Sequence, residues 1–261
     1  MPSEKLARKN NGAAPPGLTE LVARVDFGRR FLTEHLGPVQ SRKQYDFLLM
    51  AVYVALESQL DPEETRQPLA DAPTEKQYYV GFITGLTRHY VVETDALSVE
   101  AIQELHRNLH PPDMQTSLHN GDGTFETVAV NPGKFRERDI GVERHGPLHA
   151  FVPWEQIPEQ LQSIVSRYNS HTGHPCRAAM EFMLEFNRVH PFLDGNGKLM
   201  RVLLDALFIR AGHFPTLMNR HYRHHRDEWL TPKRQWLDGD RQKALASCLE
   251  KVVAIYQDYR F

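Results

Sequence analysis

Apolar residues recur at helical spacing along most of the chain, which predicts a mainly α-helical protein. The first such pattern runs from about Thr19 to His35 and stops at Gly37-Pro38, where a helix is expected to end. Further patterns follow at intervals. The apolar positions that define the clearest of them are Tyr45, Leu48, Leu49 and Val52, then Ile102, Leu105 and Leu109, then Leu161, Ile164, Val165 and Tyr168.

The section between residues 111 and 152 has a different pattern and predicts the β structure of the chain. Gly121-Asp122-Gly123 is a turn signal, and Thr127 to Val130 is the most strand-like run. Ile140 to Val152, interrupted by Gly146-Pro147, is typical of a second extended or hairpin segment. We therefore expect a helical bundle that carries one β-hairpin.

A polar stretch lies between two strongly apolar helical patterns, and its sequence is His190-Pro191-Phe192-Leu193-Asp194-Gly195-Asn196-Gly197-Lys198-Leu199-Met200-Arg201. The residues Ala179, Phe182, Met183 and Phe186 precede it at i, i+3, i+4 and i+7. Leu199, Leu203, Ala206 and Leu207 continue the apolar pattern after it, as far as Gly212 and Pro215. This pattern predicts a loop between two core helices, with the second helix starting near Gly197.

The start of that second helix has the features of an anion-binding site. A helix N-terminus presents unpaired N–H groups and a partial positive charge. Gly195 and Gly197 allow a tight turn and a close approach of the backbone to a ligand. Lys198 and Arg201 are three residues apart and therefore share one face of the helix beside the same opening. These features together favour a bound phosphate.

Two further residues add the chemistry of a transfer reaction. Asp194 supplies a hard oxygen ligand of the kind that holds Mg²⁺ while substrate phosphates complete its coordination. His190 can accept a proton near neutral pH. A phosphate site with a metal and a base predicts phosphoryl or nucleotidyl transfer.

Two familiar phosphate-binding loops do not fit this stretch. A Walker A loop needs Gly five residues before the Gly-Lys pair and Ser or Thr after it, where this chain has Phe192 and Leu199. A dinucleotide-binding loop needs a third small residue where Met200 stands, and a strand rather than a helix in front.

Composition places further limits on function. The chain has 261 residues, 41% of them hydrophobic, and a net charge of −2, which gives no electrostatic reason to expect nucleic acid as a partner. Its two cysteines, Cys176 and Cys248, imply no disulfide framework. With no apolar run of membrane-spanning length and no signal-peptide pattern at the start, we expect a cytoplasmic protein that does not bind membranes. A secreted effector that lacks a Sec signal is the alternative.

The stretch from His190 to Arg201 resembles the signature of the Fic (filamentation induced by cAMP) family, His-Pro-Phe-x-Asp/Glu-Gly-Asn-Gly-Arg-x-x-Arg. Every specified position matches except one, because Lys198 stands where arginine is usual. Flanking stretches also resemble the family: Leu105-His106-Arg107, Pro132 to Arg136, Phe151-Val152-Pro153 and Arg210 to Pro215. The similarity covers roughly residues 98 to 215.

The resemblance implies a fold and a division of the chain. The Fic fold is a helical bundle with a β-hairpin, called the flap, over the active site. We expect a disordered lead-in at 1–17, an N-terminal helical region at 18–97, a Fic core at 98–215 and C-terminal helices packed on the core at 216–261. The flap would span roughly residues 133 to 152 and pair with an extended segment of a target protein as an added strand.

The resemblance also implies roles for individual residues. His190 would take the proton of the attacking hydroxyl, and Asp194 would hold Mg²⁺ across the α- and β-phosphates. The phosphates themselves would be bound by the backbone N–H groups of Gly195, Asn196 and Gly197 and by the cations Lys198 and Arg201, with Asp205 orienting Arg201. Lys198 keeps the positive charge but lacks the two-pronged guanidinium of arginine.

One residue suggests regulation. Many Fic proteins carry an inhibitory helix, Ser/Thr-x-x-x-Glu-Gly/Asn, whose glutamate pairs with the second arginine of the signature. Tyr53 to Ser58 lies where the N-terminal version of that helix would be, although Tyr53 and Ser58 depart from its pattern. Glu57 is therefore a candidate inhibitory residue that pairs with Arg201, and the alternative is an ordinary carboxylate at a helix end.

The function that the resemblance implies is transfer of AMP from ATP to a Tyr, Thr or Ser hydroxyl of a target protein, with Mg²⁺ as cofactor. Self-modification and a homodimer fit the same family. The alternatives are transfer of UMP or phosphocholine, removal of AMP from modified proteins, and a degenerate Fic scaffold that only binds. The kinase branch of the family is disfavoured, because its motif has Ala-Asn-Lys where this chain has Gly195-Asn196-Gly197.

Overall fold

The structure is a computed structural model that describes residues 17–39, 44–56, 74–119, 124–142, 149–217 and 226–257. In chain order its helices are α1 (Leu18–Leu36), α2 (Gln44–Leu56), α3 (Thr74–Thr87), α4 (Val99–Asn108), α5 (Ile157–Asn169), α6 (Pro175–Val189), α7 (Asn196–Arg210), α8 (Arg226–Leu237) and α9 (Arg241–Gln257). A π-helical turn, Arg88–Val92, extends α3, and a 3₁₀ turn, Trp154–Gln156, precedes α5. Every helix in these described ranges is too short or too polar to cross a membrane.

Helix α7 lies at the centre of the bundle. Its side chains are buried on nearly all sides, as expected of a helix that other elements surround rather than of a surface helix. Helices α2 and α6 and the π-helical turn pack around it. Its buried apolar residues are Leu199, Met200, Val202, Leu203, Leu204, Ala206, Leu207, Phe208 and Ile209, and each large one contributes roughly 1.5–3 kcal/mol through burial.

Helix α4 has the pattern of a half-buried helix and begins directly after Ser98. The hydroxyl of Ser98 accepts a hydrogen bond from the backbone N–H of Ala101 at 3.1 Å and so caps the helix. Its apolar face, with Ile102 and Leu105, is fully buried. His106 lies on the same buried face.

The β structure consists of two antiparallel pairs in the described residues. Strands β1 (Gln115–His119) and β2 (Phe125–Ala129) form the larger hairpin, with Gln115 opposite Ala129 and His119 opposite Phe125. Strands β3 (Gly141–Val142) and β4 (His149–Ala150) form a two-residue pair within the predicted flap. The mainly helical prediction is confirmed. Strands β3 and β4 lie in the segment from Ile140 to Val152 that the sequence predicts to be extended or a hairpin, so the described residues form two strand pairs where one hairpin is expected.

The segment that follows α7 is fixed to the core through Asp205. One oxygen of this buried carboxylate accepts hydrogen bonds from the backbone N–H of Thr216 at 2.6 Å and from its hydroxyl at 2.7 Å. Burial raises the pKa of Asp205 to about 6, against the opposing effect of the Thr216 bonds. Next to this segment, the Tyr256 hydroxyl donates to the carbonyl of Phe214 at 2.6 Å and so joins α9 to it.

Replacing Thr216 by valine should destabilise the protein in a pH-dependent way. The change keeps the methyl group but removes the hydroxyl that donates to the Asp205 carboxylate, and a hydrogen bond to a charged group is worth about 1.5–3 kcal/mol. The loss should be largest at pH 8, where Asp205 is ionised, and should shrink toward pH 5, where it becomes protonated. Urea unfolding at both pH values measures the change.

Thr216→Ser is the matched control for this prediction. It keeps the hydroxyl and loses the methyl group, so its cost should not depend on pH in this range. Equal pH dependence in the two variants would contradict the assigned role of the hydroxyl.

Candidate active site

The turn between α6 and α7 reverses the chain through two left-handed residues. His190 ends α6 with φ 48° and ψ 62°, and Gly195 precedes α7 with φ 77°. A positive φ is uncommon for a residue other than glycine, and such residues cluster at functional sites. His190 and the N-terminus of α7 therefore lie at the two ends of a single short turn.

Asn196 holds this turn closed. Its side-chain oxygen accepts a hydrogen bond from the backbone N–H of Phe192 at 3.0 Å, and its side-chain nitrogen donates to the Phe192 carbonyl at 2.7 Å. The side chains of both residues are buried, so these bonds are shielded from water. The Asn196 side chain therefore supports the loop, and its backbone N–H is the group left to face a ligand.

Gly195 is required for two reasons. Its positive φ disfavours any side chain, and an added Cβ would lie 2.0 Å from the Nε2 atom of His110. No rearrangement short of displacing the buried His110 ring could relieve such a contact. Gly197 is different, since its Cβ would meet only the end of the Arg201 side chain, at 3.3 Å.

The opening at the α7 N-terminus combines a carboxylate with two cations. The first intrahelical bond of α7 runs from Leu199 to Gly195 at 3.0 Å, which leaves the N–H groups ahead of Leu199 for a ligand or solvent. The Asp194 carboxylate accepts a bond from the N–H of Gly195 at 2.5 Å, so it also caps the turn. Burial, followed by the charge of Arg201, lowers the pKa of Lys198, while Asp194 opposes that shift.

The imidazole of His190 is neutral at physiological pH. It stacks on Phe151 with ring centres 3.9 Å apart and planes within 11°. Burial, followed by the charges of Lys233 and Arg136, lowers the pKa of His190 to about 3. A neutral imidazole has a lone pair that can accept a proton from a hydroxyl group.

Arg136 fixes the backbone on which His190 sits. Its side chain is fully buried and donates to four carbonyl groups, those of Arg138, Val152, Val189 and His190, the last at 2.9 Å. Burial lowers the pKa of Arg136. The Asp139 carboxylate, 3.7 Å from the guanidinium group, opposes this shift. Both ends of the flap are thereby joined to the left-handed residue that would act as base.

Two buried histidines from α4 and its C-terminal end lie beneath the turn. His106 donates to the Asp194 carbonyl at 2.9 Å, and His110 contacts Gly195. Burial lowers the pKa of each ring to about 4. His106 and Arg136 lie in stretches that resemble the family, but no local spacing in the sequence indicates the contacts of these residues or of His110 with the turn.

The structure brings the seven predicted residues of the signature together: His190, Asp194, Gly195, Asn196, Gly197, Lys198 and Arg201 all lie on or beside the α6–α7 turn. Their roles toward a ligand remain predictions. Asp205 accepts two hydrogen bonds from Thr216, and the charge of Arg201 acts to lower the pKa of Asp205, so its role in orienting Arg201 remains a prediction. Glu57, residues 143–148 of the flap and, except for Gly17, the lead-in at 1–17 lie outside the described residues.

The contrast between the two glycines gives a testable prediction. Gly195→Ala should disrupt the turn, because the left-handed conformation alone costs roughly 1–2 kcal/mol and the contact with His110 adds to it. Gly197→Ala is the matched control and should leave stability unchanged or raise it by up to about 1 kcal/mol, since alanine favours helices. Urea unfolding measures both, and equal losses would contradict the contact assigned to Gly195.

The buried histidines predict loss of stability in acid. His106, His110 and His213 have pKa values lowered to about 4 by burial, so between pH 6.5 and 4 the unfolded chain binds more protons than the folded chain. The free energy of unfolding should therefore decrease as the pH is lowered through this range, by about 1.4 kcal/mol per pH unit for each histidine. The carboxyl of Asp205, whose pKa is raised, opposes the fall below about pH 6.

His213→Gln tests this prediction away from the turn. The variant should show a smaller slope of unfolding free energy against pH than the wild type, whatever its stability at pH 7.5. An unchanged slope would mean that His213 does not contribute.

The sequence of the core matches a known family. Residues 96–208 match the profile of the Fic/DOC family. The chain is 31% identical over 129 residues to the protein adenylyltransferase fic-1 of Caenorhabditis elegans, a match that covers 48% of this chain and 22% of that protein. It is 28% identical over 134 residues to the protein adenylyltransferase Fic of Culex quinquefasciatus, covering 49% of this chain and 25% of that protein. The chain thus spans about a quarter of the length of these curated relatives.

Solved structures show the same fold. A Fic family protein from Desulfovibrio desulfuricans G20 aligns with a TM-score of 0.65 at 16% identity, over 94% of this chain and 74% of that one. Fic-1 from C. elegans aligns with a TM-score of 0.61 at 20% identity, over 93% of this chain and 71% of that one. The family profile, the sequence relatives and the shared architecture agree with the resemblance seen in the signature. Residues 96–208 of this chain are therefore similar in sequence to the Fic/DOC family, and the chain shares its fold with a solved Fic family protein.

Proposed function

We propose that the chain is a protein adenylyltransferase that moves AMP from ATP to a Tyr, Thr or Ser hydroxyl of a target protein. The observation that carries this proposal is the pairing of a half-buried neutral imidazole, His190, with the cationic N-terminus of α7 across one turn. The curated relatives that match the core are protein adenylyltransferases, which favours this reaction among those of the family.

In the proposed reaction the target hydroxyl oxygen attacks the α-phosphorus of ATP. A new O–P bond forms, the bond between the α-phosphorus and its bridging oxygen breaks, and pyrophosphate leaves. His190 accepts the hydroxyl proton, a step that the neutral ring permits. Arg136 donates to the carbonyl of His190 and so helps to hold its backbone in the left-handed conformation.

The phosphates would bind at the N-terminus of α7. The N–H groups of Asn196 and Gly197, together with Lys198 and Arg201, supply donors and positive charge where negative charge develops. Gly195 would join them if its N–H exchanged the Asp194 carboxylate for a phosphate oxygen. That exchange would free the carboxylate to bind a cation.

Asp194 fits a Mg²⁺ ligand on this geometry. It is a half-buried carboxylate at the edge of the anion site, and Mg²⁺ in nucleotide enzymes is held by one or two carboxylates with the substrate phosphates. When bound, the ion would neutralise phosphate charge and orient the α- and β-phosphates. Asp194 would hold it, and Lys198 would share the charge of the phosphates.

The flap, at about residues 133–152, would receive the target. The β3–β4 pair lies in this segment, and an extended target segment could add to it as a further strand, with its hydroxyl beside His190. Phe151 follows β4 and stacks on the His190 ring, so the flap contacts the proposed base directly.

Regulation through Glu57 rests on sequence and on the position of α2. This helix packs against α7, which carries Arg201, and Glu57 follows the last residue of α2. A pairing between Glu57 and Arg201 would compete with nucleotide phosphate for the guanidinium group. Cytoplasmic location, self-modification and a homodimer remain predictions from the sequence.

Labelling with ATP tests the proposal. Purified protein with Mg²⁺ and ATP labelled at the α-phosphate should transfer label to itself or to proteins of a cell extract. His190→Ala should abolish the transfer, and His35→Ala, on α1, is the matched control. Glu57→Gly should increase labelling if Glu57 is inhibitory. Label that arrives only from the γ-phosphate would overturn the proposal in favour of a kinase.

The same assay also tests two alternative reactions. Label from UTP or from a phosphocholine donor, with none from ATP, would replace AMP by another transferred group. Release of AMP from premodified protein, with no forward transfer, would make the chain a hydrolase.

A further inference from the structure

His106 makes two hydrogen bonds that join separate parts of the site. Its Nε2 lies 2.9 Å from the carbonyl oxygen of Asp194, and its Nδ1 lies 2.8 Å from the backbone N–H of Gly133. Because the N–H of Gly133 can only donate, Nδ1 must be the unprotonated nitrogen. The neutral ring then carries its proton on Nε2 and donates it to the carbonyl of Asp194. One tautomer satisfies both bonds.

The ring of His106 is held in place on its face as well as at its edge. It is completely buried and stacks on Phe192 with ring centres 3.7 Å apart and planes within 8°. Phe192 is in turn held by the two bonds of Asn196 to its backbone. His106 therefore has little freedom to move relative to the turn.

Gly133, at the start of the flap, is docked on α4 by two bonds. Its N–H donates to His106, and its carbonyl accepts a bond from the side-chain nitrogen of Gln103 at 3.0 Å. Gly133 has a φ of 82°, which favours glycine, and an added Cβ would lie 3.0 Å from the Gln103 carbonyl oxygen. Both features favour glycine at this position. The flap thus starts from a fixed point on the same helix that contacts the turn.

The bond to Asp194 fixes the direction of a whole peptide group. In a planar trans peptide the carbonyl of one residue and the N–H of the next point in opposite directions. With the Asp194 carbonyl held toward α4, the N–H of Gly195 must point away from α4. In this structure it meets the Asp194 carboxylate there, on the side where α7 begins.

We propose that His106 is a positioning residue that sets the Asp194–Gly195 peptide for nucleotide binding and couples it to the start of the flap. The nature of the ligand in this inference rests on the proposed function. The two bonds do not, since they belong to the protein alone. His106 touches neither the nucleotide nor the target and acts through Asp194 and Gly133.

Two amide substitutions separate the two bonds. In His106→Gln the terminal amide nitrogen reaches the position of Nε2 and can donate to the Asp194 carbonyl, but no acceptor remains for Gly133. In His106→Asn the shorter side chain places an oxygen near the position of Nδ1, which can accept from Gly133, but the bond to Asp194 is lost. Both lose the stacking on Phe192, so they are matched in packing.

Calorimetry with ADP and Mg²⁺ gives the first readout, independent of catalysis. Loss of the Asp194 bond should weaken nucleotide binding about tenfold in His106→Asn, the effect of one hydrogen bond of ordinary strength. His106→Gln should weaken it by no more than about threefold, on the same scale. His106→Gln should instead raise the KM for the target protein. Equal affinities in the two variants would overturn the inference.

Amide hydrogen exchange gives the second readout and needs no ligand. The Gly133 amide should exchange faster in His106→Gln than in His106→Asn, and ¹⁵N NMR of the wild-type imidazole should show the proton on Nε2. If the wild type binds no nucleotide, the proposed function fails and these measurements alone decide the inference. If the wild type transfers AMP while the two variants behave alike, the inference fails and the proposed function stands.

Discussion

The closed turn between α6 and α7 is the constraint on which the rest of the site depends. Two hydrogen bonds from the buried amide of Asn196 to the Phe192 backbone hold it. Without them, His190 and the α7 N-terminus would have no fixed separation. Buried amide bonds suit this task because leaving any of the four groups unpaired would cost about 1–3 kcal/mol, so the turn has one favourable closure.

Around this turn the molecule uses imidazoles in three different ways. His190 is covered by an aromatic ring and remains neutral, which suits a proton acceptor. His106 uses both ring nitrogens to join backbone groups. His110 occupies the space that makes glycine obligatory at position 195. The same side chain can thus accept a proton, link two backbone groups or exclude a Cβ atom. Its surroundings determine which of these it does.

The sequence was informative where the site is local and uninformative where it is assembled from distant parts. The helix–turn–helix arrangement and the residues from His190 to Arg201 follow from spacing, because they are contiguous. Contacts of Arg136 and His106 with the turn span 54 and 88 residues, and no periodicity encodes such distances. The sequence indicates extended structure from Ile140 to Val152, but strands of two residues are too short for alternation to give their pairing. The two donors on Thr216 that bind the Asp205 carboxylate lie 11 residues away, and spacing along a helix does not indicate them.

Arg136 has a consequence for how recognition could change over time. By binding the carbonyls of Val152 and His190, it closes the chain between residues 136 and 152 into a loop whose ends cannot move apart. The entropy of closing a loop depends only weakly on its length, at about 0.6 kcal/mol for each doubling. Residues between the two anchors could therefore be replaced, added or removed at little cost in stability. The surface of this loop could therefore change in sequence while the backbone around His190 stays fixed by Arg136.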